Sequence, residues 1–275
     1  MLKRVITSVI GLPILISLVL AGDIWLQLIL VLLSLIGLNE LYGAVSGKYL
    51  PVHLVGYGFG AIYIFSIDKA VFNSIYMTSA VVMITLMIVL VANHTRITFT
   101  DCAVTLFGFY YVPFMLSNIF LIRDYGNYGL YFVWLVFISA WGTDTGAFAA
   151  GKLFGKHKLT PLLSPNKTVE GAIGGVVFSA ILSFVYGLSV SRMFAVDEIN
   201  VILFCVVLGI TGSVLAQFGD LTASAIKRFT GIKDYGRIFP GHGGVLDRFD
   251  SILFTAPAVY LIMRVLLIYP GVRLV

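Results

Sequence analysis

Charge is what this chain lacks most. Asp, Glu, Lys and Arg make up 11% of its 275 residues, whereas 59% are hydrophobic. An ordinary soluble domain carries about 25% charged residues, so a water-soluble globule is excluded. The chain is too apolar for disorder, and it has no alternating ten-residue rhythm of an outer-membrane barrel. Cysteine is also scarce. Cys102 and Cys205 lie far apart in apolar runs, which excludes a disulfide framework and a cysteine metal site. There is no soluble domain, low-complexity tract or clear internal repeat. What remains is an all-α, polytopic integral membrane helical bundle. In a soluble protein the net charge of +5 would suggest nucleic acid; here it reads as loop charge beside a membrane, with no nucleic-acid partner.

A helix crossing the hydrocarbon core needs about 20 mostly apolar residues. Nine segments qualify: Val5–Leu20, Ile24–Val45, Val52–Ile67, Val71–Ala92, Cys102–Ile122, Leu130–Ala150, Gly171–Val190, Ile199–Ala225 and Ser251–Tyr269. The first and third are short, and both tilted and interfacial placements are open to them. The first also has signal-peptide features, with Lys3 and Arg4 before it, but the chain runs straight into another span and a retained anchor is expected. With the N-terminus in the cytoplasm and strict alternation, thirteen basic residues fall inside and five outside. The positive-inside rule therefore predicts nine spans, a cytoplasmic N-terminus and an external C-terminus. The expected organisation is N-terminal spans over residues 1–67, middle spans over 68–128, and a C-terminal membrane domain over 129–275, where the ionisable residues concentrate. That domain carries two long cytoplasmic loops, 151–170 and 226–250, and such loops are where function concentrates.

An ionised side chain at mid-bilayer costs on the order of 2.5–3.5 kcal/mol. Glu40, Asp144 and Asp220 all fall inside expected spans. Glu40 lies near the inner end of its helix, and a structural reach toward Lys48 is expected. Asp144 and Asp220 stand six and five residues before the inner ends of their helices, roughly 8–9 Å below the boundary at about 1.5 Å per residue. Two carboxylates at equal depth point to a shared cavity; the alternative is helix packing through Thr143, Thr145 or Ser224. Gln217, Asp220, Ser224 and Lys227 give one helix face a polar stripe, which belongs in a cleft open to the cytoplasm.

The segment 224–250 concentrates cations, carboxylates and glycines between two spans. Gly241, Gly243 and Gly244 allow close approach to a ligand, and such a loop aims N–H groups at phosphate while Lys and Arg supply charge. Asp247 and Asp250 lie three apart and, with Asp220, resemble a hard-cation site of the kind Mg²⁺ prefers. The bland reading of Lys227, Arg228, Lys233 and Arg237 is contact with anionic lipid. His242 has no second histidine or cysteine nearby, so a zinc site is not expected and a phosphate or loop-bracing role is. In the other loop, Ser164-Pro-Asn-Lys-Thr-Val-Glu-Gly171 sets a turn, Thr168 is an expected helix cap, and Lys167 supplies a second basic arm.

These residues resemble the phosphatidate cytidylyltransferase (CDP-diacylglycerol synthase) family. The resemblance rests on Ser224-x2-Lys227-Arg228-x4-Lys233-Asp234-x-Gly236-x2-Phe239-Pro240-x-His242-Gly243-Gly244-x2-Asp247-Arg248-x-Asp250, with support from Ser164-Pro165-x-Lys167-Thr168-x-Glu170-Gly171 and the Gln217–Asp220 stretch. It covers the chain from about Asp144 onward; the first five spans match only in apolar character. The resemblance implies transfer of CMP from CTP to phosphatidic acid, a divalent metal (Mg²⁺ or Mn²⁺) with a companion K⁺, a homodimer, and an inner (plasma) membrane location with the site facing the cytoplasm. It implies that Asp220 and Asp247 hold the metal, with Asp144 and Asp250 as accessory ligands. On this reading Lys167, Lys227, Arg228, Lys233, His242, Gly243, Gly244 and Arg248 bind phosphates, and Lys227 and Arg248 join the two principal acids in catalysis. Two other readings stand beside it: a CTP-dependent polyprenol or lipid kinase, and an ion-coupled transporter of an anionic solute.

Overall fold

The computed structural model describes residues 2–67, 75–192, 198–238 and 243–268. The segments expected to span are helical over nearly all their described residues: α1 (Leu2–Ala21), α2 (Asp23–Val45), α3 (His53–Ser66), α4 (Ile75–Ala92), α5 (Phe99–Phe109) with α6 (Met115–Arg123), α7 (Gly129–Phe154), α8 (Val169–Ser191), α9 (Glu198–Thr230) and α10 (Leu246–Ile268). Between α5 and α6 lies a π turn, Tyr110–Phe114, at Pro113, where the missing N–H disrupts the ordinary helical ladder. Six helical stretches among the described residues are long and apolar enough to cross a membrane: Asp23–Val45, Ile75–Ala92, Phe99–Arg123, Gly129–Phe154, Val169–Ser191 and Asn200–Thr230. The chain is a nearly all-α, multi-pass membrane protein.

Both long loops are shorter than expected. α7 continues to Phe154, and residues 158–168 form an antiparallel hairpin, β1 (Lys158–Thr160) with β2 (Ser164–Thr168). α9 continues through Lys227 and Arg228 to Thr230, because nothing in Ser224–Thr230 breaks a helix until Gly231. Gly231 has φ +77°, and the N–H groups of Ile232 and Gly231 donate to the carbonyls of Lys227 and Arg228. That is a Schellman stop, with two cations in the last turn complementing the helix dipole.

The chain divides into two compact units: Met1–Phe120 with Ile226–Phe249, and Leu121–Ala225 with Asp250–Val275. In the first, Tyr42 is fully buried and its hydroxyl donates to the Thr105 carbonyl at 3.1 Å. α5 starts on a capping box, in which Thr98 and Asp101 satisfy each other's backbone N–H groups, and Asp101 also accepts the Leu50 N–H.

The second unit is held by small residues. The buried positions of α8 include Gly171, Gly175, Ser179, Ser183 and Gly187, one every fourth residue. α7 presents Gly142 and Gly146 toward it. Lipid offers no hydrophobic drive for helix association, so such stripes work by letting backbones approach closely. A Cβ on Gly175 would sit 2.9 Å from the Thr143 carbonyl oxygen. Gly175→Leu is therefore expected to cost about 1–3 kcal/mol through forced separation of α7 and α8. Thermal unfolding in detergent checks this, and an unshifted midpoint would refute the close-approach account.

Candidate active site

Within the second unit the membrane helices and the hairpin enclose a cavity of about 490 Å³. Its α7 wall is Thr143, Asp144, Ala147, Phe148, Gly151 and Lys152; α9 contributes Gln217 and Asp220, and the hairpin contributes Leu159, Asn166, Lys167 and Thr168. The volume lies in the range of small-molecule sites, which combine apolar walls with a few polar groups. Asp144 and Asp220, expected to face a shared cavity, both line this one.

Local folding places these groups. Thr168 caps α8 as expected, its hydroxyl accepting the Gly171 N–H at 3.1 Å. Glu170, in the first turn of α8, accepts the backbone N–H groups of Lys156 and His157 and meets the His157 ring at 2.6 Å, which ties the start of the hairpin to the helix. Lys167, one residue before the cap, is thereby directed to Asp220, and the two form an ion pair. Gln217, one turn before Asp220, donates from Nε2 to the Ala172 carbonyl and keeps its amide oxygen for other use. Thr143 engages the Ser139 carbonyl and the Ser213 hydroxyl, and Thr145 donates to the Trp141 carbonyl.

The first unit holds the other expected residues except Asp250, which belongs to the second. Lys227 donates to Asp247 Oδ1 at 2.8 Å, with side chains 16% and 5% exposed. Asp247 Oδ2 accepts the Tyr235 N–H at 2.8 Å and the Gly244 N–H at 3.0 Å. Asp247 is therefore a buried carboxylate with three donors, which braces its own loop. Gly243, at φ +86°, supplies the left-handed residue that the turn into α10 requires. Arg228, Lys233 and Arg248 are exposed, and Asp250 Oδ1 accepts the Ser251 N–H at 2.7 Å. His242 lies outside the described residues.

Two features escape a reading of the sequence. Lys152 lines the cavity, although the 3.6-residue period already places it on the Asp144, Ala147, Phe148, Gly151 face. Glu40 does not turn to Lys48. It is buried, and its carboxylate accepts the N–H groups of Val245 and Leu246, each at 2.9 Å. Lys48 instead donates to the Phe229 carbonyl at 2.6 Å and lies 3.9 Å over that ring. The reason is that the first N–H groups of α10 are buried and need an acceptor, whereas Lys48 finds an accessible carbonyl at the end of α9.

Comparison with known proteins decides the class. A model described as the cytidylyltransferase family matches residues 2–266. The chain belongs to the cytidylyltransferase family. Its relatives include proteins named phosphatidate cytidylyltransferase from Staphylococcus haemolyticus, 37% identical over 264 residues, and Staphylococcus saprophyticus, 35% identical over 263 residues. Each match covers 94% of this chain and 98% of the relative. A Staphylococcus aureus protein of the same name is 35% identical over 266 residues, with the same coverage.

Among the described residues of this cytidylyltransferase-family chain, no group of three or more His, Cys, Asp and Glu side chains could hold a metal by itself. The cavity donors are nonetheless of the right kind. Asp144, Asp220 and the Gln217 amide are hard oxygen donors, and Mg²⁺ commonly uses one or two carboxylates, completing its shell with water and substrate phosphates. Lys152 and Lys167 on the same walls add the positive charge that phosphates require.

Proposed function

We propose that this chain is a phosphatidate cytidylyltransferase, which converts CTP and phosphatidic acid to CDP-diacylglycerol and pyrophosphate. The observation that carries the reading is the Lys167–Asp220 pair on the wall of a cavity built from membrane-spanning helices. A lipid phosphate and a nucleotide triphosphate repel each other, and such a wall offers both a cation and the carboxylates that bind one.

In the reaction a phosphate oxygen of phosphatidic acid attacks the α-phosphorus of CTP. A new P–O bond forms, the bond to the β-phosphate bridging oxygen breaks, and pyrophosphate leaves. The attacking oxygen is already anionic, so no strong general base is needed, and catalysis is positioning with charge neutralisation. Asp220 and Asp144, with Gln217, are assigned to a divalent cation, Mg²⁺ or Mn²⁺, which when bound neutralises charge on the transferred phosphate. Lys167 is assigned to a substrate phosphate and releases Asp220 when it takes that load. Asp247 offers Oδ1 to a cation where Lys227 moves to a phosphate, and Asp250 remains an accessory acid. Lys227, Arg228, Lys233, His242, Gly243, Gly244 and Arg248 are assigned to phosphates.

The distribution of basic residues supports nine spans with a cytoplasmic N-terminus, an external C-terminus and a plasma-membrane location, where CTP is available on the inner side. A homodimer and a companion K⁺ complete the proposal.

Purified protein with Mg²⁺ and phosphatidic acid is expected to move label from α-labelled CTP into a lipid-soluble nucleotide with one pyrophosphate released per turnover. EDTA stops the reaction and added Mg²⁺ restores it. Release of CDP with a phosphorylated lipid alcohol would instead identify a kinase, and no transfer to either lipid would overturn the enzymatic reading.

A further inference from the structure

Glu40 sits 205 residues from its hydrogen-bond partner Val245, on a helix to which sequence reasoning gives no part in the chemistry. It is 6% exposed, and both carboxylate oxygens are used: Oε1 accepts from Val245 and Oε2 from Leu246. These N–H groups lie at the residue before α10 and at its first residue, where helix geometry leaves donors without internal partners and the dipole favours negative charge. The fit around the acid is close. A Cβ on either Gly236 or Gly244 would overlap the Glu40 carboxylate, so the two glycines let the loop wrap around it.

Asp247 grips the same turn by other donors, the N–H groups of Gly244 and Tyr235. The two carboxylates thus bracket Gly244–Leu246, each holding backbone that the other does not. A shift of that turn moves the start of α10, and with it Asp247 and its contact to Lys227. Neither charge is redundant: Asp247 anchors the turn from within the motif, and Glu40 anchors it to a different helix, α2.

We infer that Glu40 is a positioning residue for the reaction, fixing the Gly244–Leu246 turn against α2 so that Asp247 and Lys227 keep their working geometry. The inference rests on the cytidylyltransferase reading above for its reaction, although the bracketing itself is independent of it.

The test uses the full chain in lipid nanodiscs. Glu40→Gln keeps size but replaces one acceptor oxygen with an amide that faces a backbone N–H. Turnover per folded molecule, assayed well below the melting temperature, is expected to fall on the order of 10- to 100-fold, as sub-ångström to ångström misplacement does. KM for CTP should change less than about twofold, and amide hydrogen exchange should accelerate within residues 243–250 but not in α7 or α8. A purely structural role would lower the melting point and leave turnover per folded molecule within about twofold of wild type, which would overturn the inference. Should Glu40→Gln fail to fold, Glu40→Asp, one methylene too short to reach both N–H groups, is judged by the same readouts. If the wild-type chain transfers nothing from CTP, the functional reading fails while exchange still decides the bracketing: accelerated exchange at 243–250 supports it, and unchanged exchange refutes it.

Discussion

Asp220→Asn is expected to lower turnover by about 10³-fold while leaving the chain folded. The side chain lines the cavity, forms an ion pair with Lys167, and is 28% exposed, so its charge meets whatever enters. The amide is nearly isosteric but carries no charge: it cannot offset Lys167, and it is a poor ligand for a hard cation. Stability should change by no more than about 1 kcal/mol, because partly exposed ion pairs contribute little. Reading both quantities on one preparation, transfer of label from CTP and the melting midpoint, makes the outcome decisive. Normal turnover in Asp220→Asn would remove this acid from the chemistry and the cation with it. Loss of turnover together with unfolding would instead make Asp220 a packing residue.

The second large effect falls on stability first. Asp247→Ala removes the acceptor of a largely buried ammonium and of two backbone N–H groups. Breaking one side of a buried ion pair costs on the order of 3–5 kcal/mol, because the remaining charge stays buried without compensation. Asp247→Ala is thus expected to unfold at a far lower temperature than wild type and to be inactive. Lys227→Met together with Asp247→Leu removes both charges, and recovery of at least half of the lost stability is expected, since no orphan charge remains. Activity should stay absent in the double variant. If activity returned with stability, the pair would be a structural strut only, and its assignment to phosphate and cation would fall.

These two acids show how unevenly a site can be read from sequence. Asp144 and Asp220 are legible because acids are costly in a membrane span and because their helices place them at similar depth; the structure puts both on one cavity. Thr168 is legible as a cap because its signal is local, an oxygen three residues from the N–H it accepts. The extension of α9 to Thr230 is half legible: Gly231 marks the stop, but charged residues after an apolar run read as loop until the helical hydrogen bonds are seen. The hairpin at 158–168 is not legible, because three residues paired with five carry too little periodicity to register. Asp247 reads as an open oxygen donor from its spacing alone, whereas in the fold it has accepted three donors.

By itself the sequence determined that this is a multi-pass helical membrane protein and which acidic and basic residues set it apart, because hydropathy sums over neighbours and an intramembrane charge is conspicuous wherever it falls. Only the tertiary structure decided which partners those charges take. Glu40 meets the start of α10, Lys48 meets the end of α9, and Lys167 meets Asp220. A buried polar group is satisfied by whatever the packing brings within about 3 Å, and that choice is made across scores of residues of intervening chain.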